Sequence, residues 1–132
     1  MSFRDIASIA GSAMSAQTIR LDAIASNLAN ADTAGTEESA YRARKPVFAA
    51  VLDGRGARVQ VLDVIESSDP LAAKYEPGSP LADENGMVHY SNVNPVEEMT
   101  DMMAASRAFS TNAEVLARVK TMQQDLLRLG EG

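Results

Sequence analysis

The sequence predicts a mainly α protein: long N- and C-terminal helices paired as an elongated coiled-coil-like unit, with a small irregular, β-containing middle region. Three observations predict it. Glycine and proline concentrate in residues 32–94, whereas 1–31 hold only Gly11 and no proline, and 95–129 hold no glycine and no proline after Pro95. Apolar residues repeat at heptad spacing in both end segments. The middle alternates with period two between turn formers. At 132 residues the chain is sized for one domain, read as a single elongated unit over 1–132. Its parts are an N-terminal helix over 1–31, a linker and β-rich or loop middle over 32–94, and a C-terminal helix over 95–129.

In the first segment Phe3, Ala10, Gln17, Ile24 and Ala31 fall seven apart, and Ala7, Met14, Leu21 and Leu28 fall four after the first four of them. The two sets make one seam over about four heptads. Gln17 is its polar member, a position suited to setting register. Arg4, Ser8, Ser15, Arg20, Asp22 and Ser26 occupy the opposite surface. A helix of this length spans roughly 40–45 Å at 1.5 Å per residue. Asp32-Thr33-Ala34-Gly35 supplies turn formers and a glycine to stop it. The Asn27 and Asn30 amides, one turn apart, can bond neighbouring backbone where the helix ends. Simple termination by polar residues explains them equally well.

The last segment repeats the design. Met102, Phe109, Leu116 and Gln123 fall seven apart, with Ala105, Asn112, Val119 and Leu126 three after each. Asn94-Pro95 offers an N-cap followed by proline at the first helical position. Glu97, Glu98 and Asp101 sit in the early turns, and Arg118, Lys120 and Arg128 toward the other end, both in the sense the helix dipole favours. Gly130-Glu131-Gly132 ends the chain. Two seams alike in period predict pairing, which brings both termini to one end. Ala-rich backs at Ala13, Ala16, Ala104 and Ala108 suit further helix neighbours, so lateral assembly is expected. An intramolecular bundle also satisfies period and composition. The residues expected to pack between subunits are Met14, Leu21, Ile24, Asn27, Leu28 and Asn30 on the first helix. On the last they are Met99, Met102, Phe109, Asn112, Leu116 and Val119.

In the middle, Pro46-Val47-Phe48-Ala49-Ala50-Val51-Leu52 is a short apolar run, and Arg58-Val59-Gln60-Val61 alternates. The glycines of Asp53-Gly54-Arg55-Gly56 between them suit a hairpin turn. Tyr75-Glu76-Pro77-Gly78-Ser79-Pro80 is read as loop or edge, because proline cannot donate to a ladder. Asp83-Glu84-Asn85-Gly86 is turn chemistry ahead of Met87-Val88-His89-Tyr90.

Composition excludes several function classes. A formal net charge of -6 argues against nucleic-acid binding, and the one basic cluster, Arg42, Arg44 and Lys45, is short. There is no cysteine, hence no disulfide framework and no thiolate chemistry. Residues 1–10 lack the unbroken apolar run of a secretory signal, and no stretch approaches the roughly 18–20 apolar residues of a membrane span. Arg4 and Arg20 are offset by Asp5 and Asp22, which argues against a cationic membrane-surface helix. His89 is the sole histidine and no G-x-S-x-G accompanies it, so it reads as a surface or packing residue. Asp83-Glu84-Asn85-Gly86 is similar to the start of a calcium loop but lacks the closing glutamate. Glu97 and Glu98 point about 100° apart on a helix and do not form a catalytic pair. No catalytic, cofactor-binding or metal-ligating residue is assigned, and neither a cofactor nor a small-molecule substrate is expected.

The stretch 14–33, ending Ala25-Ser26-Asn27-Leu28-Ala29-Asn30-Ala31-Asp32-Thr33, closely resembles the N-terminal signature of bacterial flagellar rod and hook axial proteins. Tyr41-Arg42 looks like the pair that follows that family's turn. Ser91-Asn92-Val93-Asn94-Pro95-Val96-Glu97-Glu98-Met99-Thr100-Asp101-Met102, continued by Ala105-Ser106-Arg107-Ala108-Phe109 and Asn112-Ala113-Glu114-Val115, resembles its second signature. The short middle points to the proximal-rod members. Residues 53–70 match nothing specific.

The resemblance implies a structural subunit of the proximal rod that polymerises through its terminal helices into a torque-transmitting tube. It implies export by the flagellar type III apparatus without a cleaved signal peptide, to a rod that spans the periplasm. The partners implied are itself, other rod proteins, the membrane ring and export gate at the base, and the surrounding outer rings. The rival reading is a coiled-coil adaptor that binds one partner helix and does not polymerise.

Overall fold

The computed structural model describes residues 1–131. The order of elements is α1 (Phe3–Ala29), β1 (Ala34–Gly35), β2 (Arg44–Asp53), β3 (Gly56–Glu66), β4 (Ala72–Tyr75), β5 (Met87–Tyr90) and α2 (Pro95–Glu131). Two terminal helices thus flank a small β-containing middle.

A capping box starts α1. The Asp5 backbone N–H donates to Ser2 Oγ at 3.2 Å, and the Ser2 N–H donates to Asp5 Oδ2 at 2.9 Å. The Ser2 N–H, joined by the Ser2 hydroxyl donating to the same Oδ2 at 2.9 Å, holds the Asp5 carboxyl below its ordinary pKa. The helix stops at Ala29, earlier than its turn formers suggest. Asn30 Nδ2 donates back to the Ser26 carbonyl at 2.9 Å, and the freed Ala34–Gly35 becomes a strand paired with His89 and Tyr90. At Gly35 a Cβ would lie 3.0 Å from Ala40 backbone, so a larger residue would have to push that backbone aside.

Asn94 caps α2, its Oδ1 accepting from the N–H groups of Val96 (3.2 Å) and Glu97 (3.4 Å). The helix runs on through Gly130 to Glu131, past its expected end; Gly132 lies outside the described residues. The two helices are antiparallel. Arg20 Nη2 lies 3.6 Å from Asp101 Oδ1, while Phe3 shares a cleft with Leu126 and Leu127. Both ends of the described chain therefore meet at one end of the molecule, as the matched seams predict.

The expected seams and the buried stripes agree in part. On α2, Glu98, Ala105 and Val119 are buried at multiples of seven, with Asn112 half-buried between them. Leu126, expected to continue this line, is exposed: it meets only Phe3, the first residue of α1, at the point where the 37-residue α2 begins to run past its 27-residue partner. On α1, Ala10 and Ile24 are buried as expected, whereas Gln17, Leu21 and Leu28 are only half-buried. Ala16 and Ala23 are buried instead. The assignment of Ala16 to an outward Ala-rich back is therefore corrected; Ala13 and Ala108 are half-buried and Ala104 is exposed. The cause is a second partner: the β2–β3 hairpin also packs on α1 and widens its buried arc.

That hairpin is regular from Arg44↔Glu66 to Asp53↔Gly56, with one irregularity between Val47 and Phe48. Gly56 adopts φ +130, which closes the turn in a region L-residues avoid. An Arg58–Asp53 ion pair of 2.6 Å braces the tip. The Val59 N–H leaves the ladder to donate to Ser12 Oγ at 3.1 Å, so the open edge of β3 faces α1. Alternation then puts Phe48 and Leu52 on one face and Val51 and Leu62 on the other, and all four are exposed. The second sheet has the order β1-β5-β4, antiparallel, with fully buried Val88 on its central strand.

Candidate functional site

The most connected polar cluster lies where both helices meet the middle. Asn27, near the end of α1, is 1% exposed. Its Nδ2 donates to the Arg44 carbonyl at 2.9 Å, and its Oδ1 accepts from the Arg44 N–H at 2.9 Å. One amide thus pairs with β2 backbone as a neighbouring strand would. Oδ1 also accepts from the Tyr41 hydroxyl at 2.8 Å, which lies 2.8 Å from Ser26 Oγ. The Arg44 guanidinium stands 5.6 Å from the Tyr41 ring centroid. Asn92 makes a second tie. Its Oδ1 accepts from the Ala43 N–H at 2.7 Å, and its Nδ2 donates to the Asp69 carbonyl at 3.0 Å.

Glu98 closes the cluster from α2. It is buried against Asn27, and burial pushes its carboxyl above the ordinary value of 4.5, partly offset by a hydrogen bond from Asn27. The charged neighbours act both ways: Asp101 and Glu97 raise it and Lys45 lowers it. The nearby cations have other partners, Arg20 with Asp101 at 3.6 Å and Lys45 with Glu97 at 3.9 Å. Dipole compensation therefore accounts for Glu97 but not for Glu98. Because the folded state holds the Glu98 proton more tightly than the unfolded chain does, its burial penalty grows as pH rises above 4.5. Glu98→Gln is expected to raise Tm by a few degrees at pH 7, the gain vanishing at pH 4. Thermal melts of both chains at the two pH values check this.

The residues expected to pack between subunits fall into three groups. Ile24, Asn27 and Val119 are buried within the chain. Met14, Leu21, Leu28, Asn30, Phe109, Asn112 and Leu116 are half-buried. Met99 and Met102 are exposed. Asn27 and Asn30 both bond backbone, as their placement at the helix end allows. The bonds of Tyr41, Asn92 and Glu98 were not derivable from spacing. His89 Nε2 lies 3.5 Å from Asp83 Oδ2, on a turn where that carboxylate accepts from the Asn85 and Met87 N–H groups. These donors, with His89, hold Asp83 below its ordinary pKa. Among the described residues no group of His, Asp and Glu could hold a metal ion, and no helix is long and apolar enough to cross a membrane.

Residues 8–35 match the family model for flagella basal body rod proteins, and residues 84–129 match that for the C-terminal part of the flagellar basal body rod FlgEFG proteins. Over 135 residues the chain is 48% identical to the flagellar basal-body rod protein FlgC of Salmonella typhimurium, covering 99% of this chain and all of the relative. The Escherichia coli protein of that name is 47% identical over 134 residues, with the same coverage. The Borreliella burgdorferi protein is 33% identical over 144 residues, 94% of this chain and 95% of its own. The chain belongs to the FlgC family of flagellar basal-body rod proteins. The family is a structural component of the flagellar basal body. The two matched models cover most of α1 and nearly all of α2, whereas the β2–β3 hairpin lies between them. The hairpin is nonetheless spanned by the full-length matches to FlgC relatives.

Proposed function

We propose that this FlgC-family chain polymerises through its terminal helices, paired as a coiled-coil-like unit, into the torque-transmitting tube of the proximal rod. The observation that carries the reading is apolar surface that one copy leaves uncovered. Met99, Met103, Met122, Leu126, Leu127 and Leu129 on α2 are all exposed, in a chain that matches rod proteins over its whole length. A monomeric adaptor for a single helix would need one such stripe, not surfaces at both ends of α2. Long helices packed side by side also suit the task, because torque needs stiffness and many parallel contacts. On this reading the partners are further copies, other rod proteins, the membrane-ring and export-gate base, and the outer rings. Delivery is by the flagellar type III apparatus, without a cleaved signal peptide. No cofactor, metal or catalysis is involved.

The test is complementation of a strain lacking this gene, followed by purification of basal bodies. The full chain should restore swimming and appear in the rod. Leu28→Asp should be exported but fail to incorporate. Leu28 is half-buried, so the charge costs the free subunit only about 1 kcal/mol, whereas in a packed tube it would lie unpaired against a neighbour. Normal swimming with Leu28→Asp would count against an inter-subunit role for this residue. Absence of the full chain from basal bodies would sink the rod reading itself.

A further inference from the structure

The turn ahead of β5 has to meet two opposed demands. Its backbone requires glycine at position 86. Gly86 adopts φ +76, and a Cβ there would lie 2.8 Å from the Tyr75 ring and 3.2 Å from Pro77. The residue before it is Asn85, exposed in the turn. Glycine is also what makes a preceding asparagine reactive. With no side chain to shield it, the glycine nitrogen can reach the asparagine amide carbon and close a succinimide ring. Asn85 alone among the six asparagines is followed by glycine. Asp53-Gly54 has the same spacing, but the Asp53 carboxylate is ion-paired with Arg58 at 2.6 Å, and a carboxylate is a poor electrophile.

We infer that Asn85 is the chain's site of spontaneous deamidation, and that the folded turn holds the reaction in check. The Gly86 nitrogen loses its proton and attacks Asn85 Cγ. A C–N bond forms, the Cγ–Nδ2 bond breaks and ammonia leaves. Water then opens the succinimide at either carbonyl, giving aspartate or isoaspartate. The fold ties down the attacking residue on both sides. The Gly86 N–H donates to the Asp83 carbonyl at 3.0 Å, and the Gly86 carbonyl accepts from the Glu76 N–H at 2.9 Å. Asp83 Oδ1 braces the turn further, accepting from the N–H groups of Asn85 at 2.8 Å and Met87 at 2.9 Å. Attack requires these bonds to open, so its rate follows the population of the open turn. Refolding does not undo the product. Isoaspartate adds a methylene to the backbone between the two N–H groups that share Asp83 Oδ1, just before Tyr75↔Met87 begins the β4–β5 ladder. It also adds an acid beside Asp83 and Glu84. The modified residue therefore records time spent with the turn open. The reaction needs no partner chain and is independent of the rod reading.

The full chain is incubated at mildly alkaline pH, in buffer and in denaturing guanidinium chloride, and sampled over time. Trypsin then releases the fragment 75–107, bounded by Lys74 and Arg107, which mass spectrometry reads for amide-to-acid conversion and for isoaspartate. Conversion at Asn85 should be at least about tenfold faster in denaturant than in the folded chain, as a reaction that waits on local opening requires. Asn92 and Asn94 of the same fragment should stay intact. Asn85→Gln, which would have to close a larger ring, should stay intact in both solvents. Asp83→Ala removes the shared acceptor and should raise the folded rate severalfold while leaving the denatured rate unchanged. Asp83→Asn keeps an acceptor oxygen and should stay near the unaltered chain, which separates loss of the bonds from loss of the charge. Circular dichroism checks that both variants keep their helices, and the ratio in the unaltered chain decides the proposal even if Asp83→Ala does not fold. Equal rates in buffer and denaturant would mean that the turn gives no protection. Faster conversion at another asparagine, or none at Asn85 in denaturant, would mean that the site is not there. Any of these overturns the proposal.

Discussion

Asn27→Ala is expected to destabilise the isolated subunit by about 3–5 kcal/mol, a large share of the roughly 5–15 kcal/mol that holds a domain folded. The reason is what alanine leaves behind. The Arg44 N–H and carbonyl and the Tyr41 hydroxyl all lose their Asn27 partner, and the position is 1% exposed, so water cannot easily replace it. Each buried group left unpaired costs about 1–3 kcal/mol. Asn27→Asp separates the terms. It keeps the acceptor for Tyr41 and Arg44 but loses the donor to the Arg44 carbonyl and places a second acid beside Glu98. It should therefore be worse at pH 7 than at pH 4. Urea melts followed by circular dichroism measure both variants. A loss below about 1 kcal/mol for alanine would mean that the strand start holds its place without Asn27.

The same cluster shows what sequence could and could not reveal. The helices were legible because burial against one partner leaves a seven-residue repeat, and Ala105, Asn112 and Val119 follow it. The hairpin was legible from alternation around Gly54 and Gly56. Asn27 and Asn30 could be placed at backbone because short amides at a helix end have backbone within reach. Glu98 was not legible: an acid in the first turns of a helix already satisfies the dipole at the surface, so nothing signals that this one is buried. Ala16 and Ala23 were missed because a heptad count assumes one neighbour, and α1 has two. Alternation and the apolar run told that two strands flank a turn at 53–56. They could not tell that the strand edge, and not a face, would meet α1, since that depends on one bond from Val59 to Ser12. Gly130 does not end α2, because glycine stops a helix only where the chain must turn.

Val88→Asp should cost about 3–5 kcal/mol, through a buried charge instead of a lost bond. Val88 is fully buried on β5, the central strand of a sheet whose strands have two, four and four residues. A sheet that small has no redundancy, so the damage should spread along the chain. β5 leads into buried Ser91, then Asn92 with its bonds to Ala43 and Asp69, then the Asn94 cap that starts α2. Amide exchange is therefore expected to quicken in β4, β5 and the first turn of α2. The β2–β3 hairpin and the middle of both helices should keep their protection. The deficit should shrink as pH falls toward the ordinary aspartate value of about 3.9, because the buried carboxyl then holds its proton in the folded state. Val88→Thr supplies the control: nearly the same volume with an uncharged hydroxyl should cost about 1–2 kcal/mol and show little pH dependence. If β5 loses protection while the first turn of α2 keeps it, the Asn94 cap and the Glu98–Asn27 contact set the start of that helix alone. The small sheet would then be a passenger on the helical pair and not its foundation.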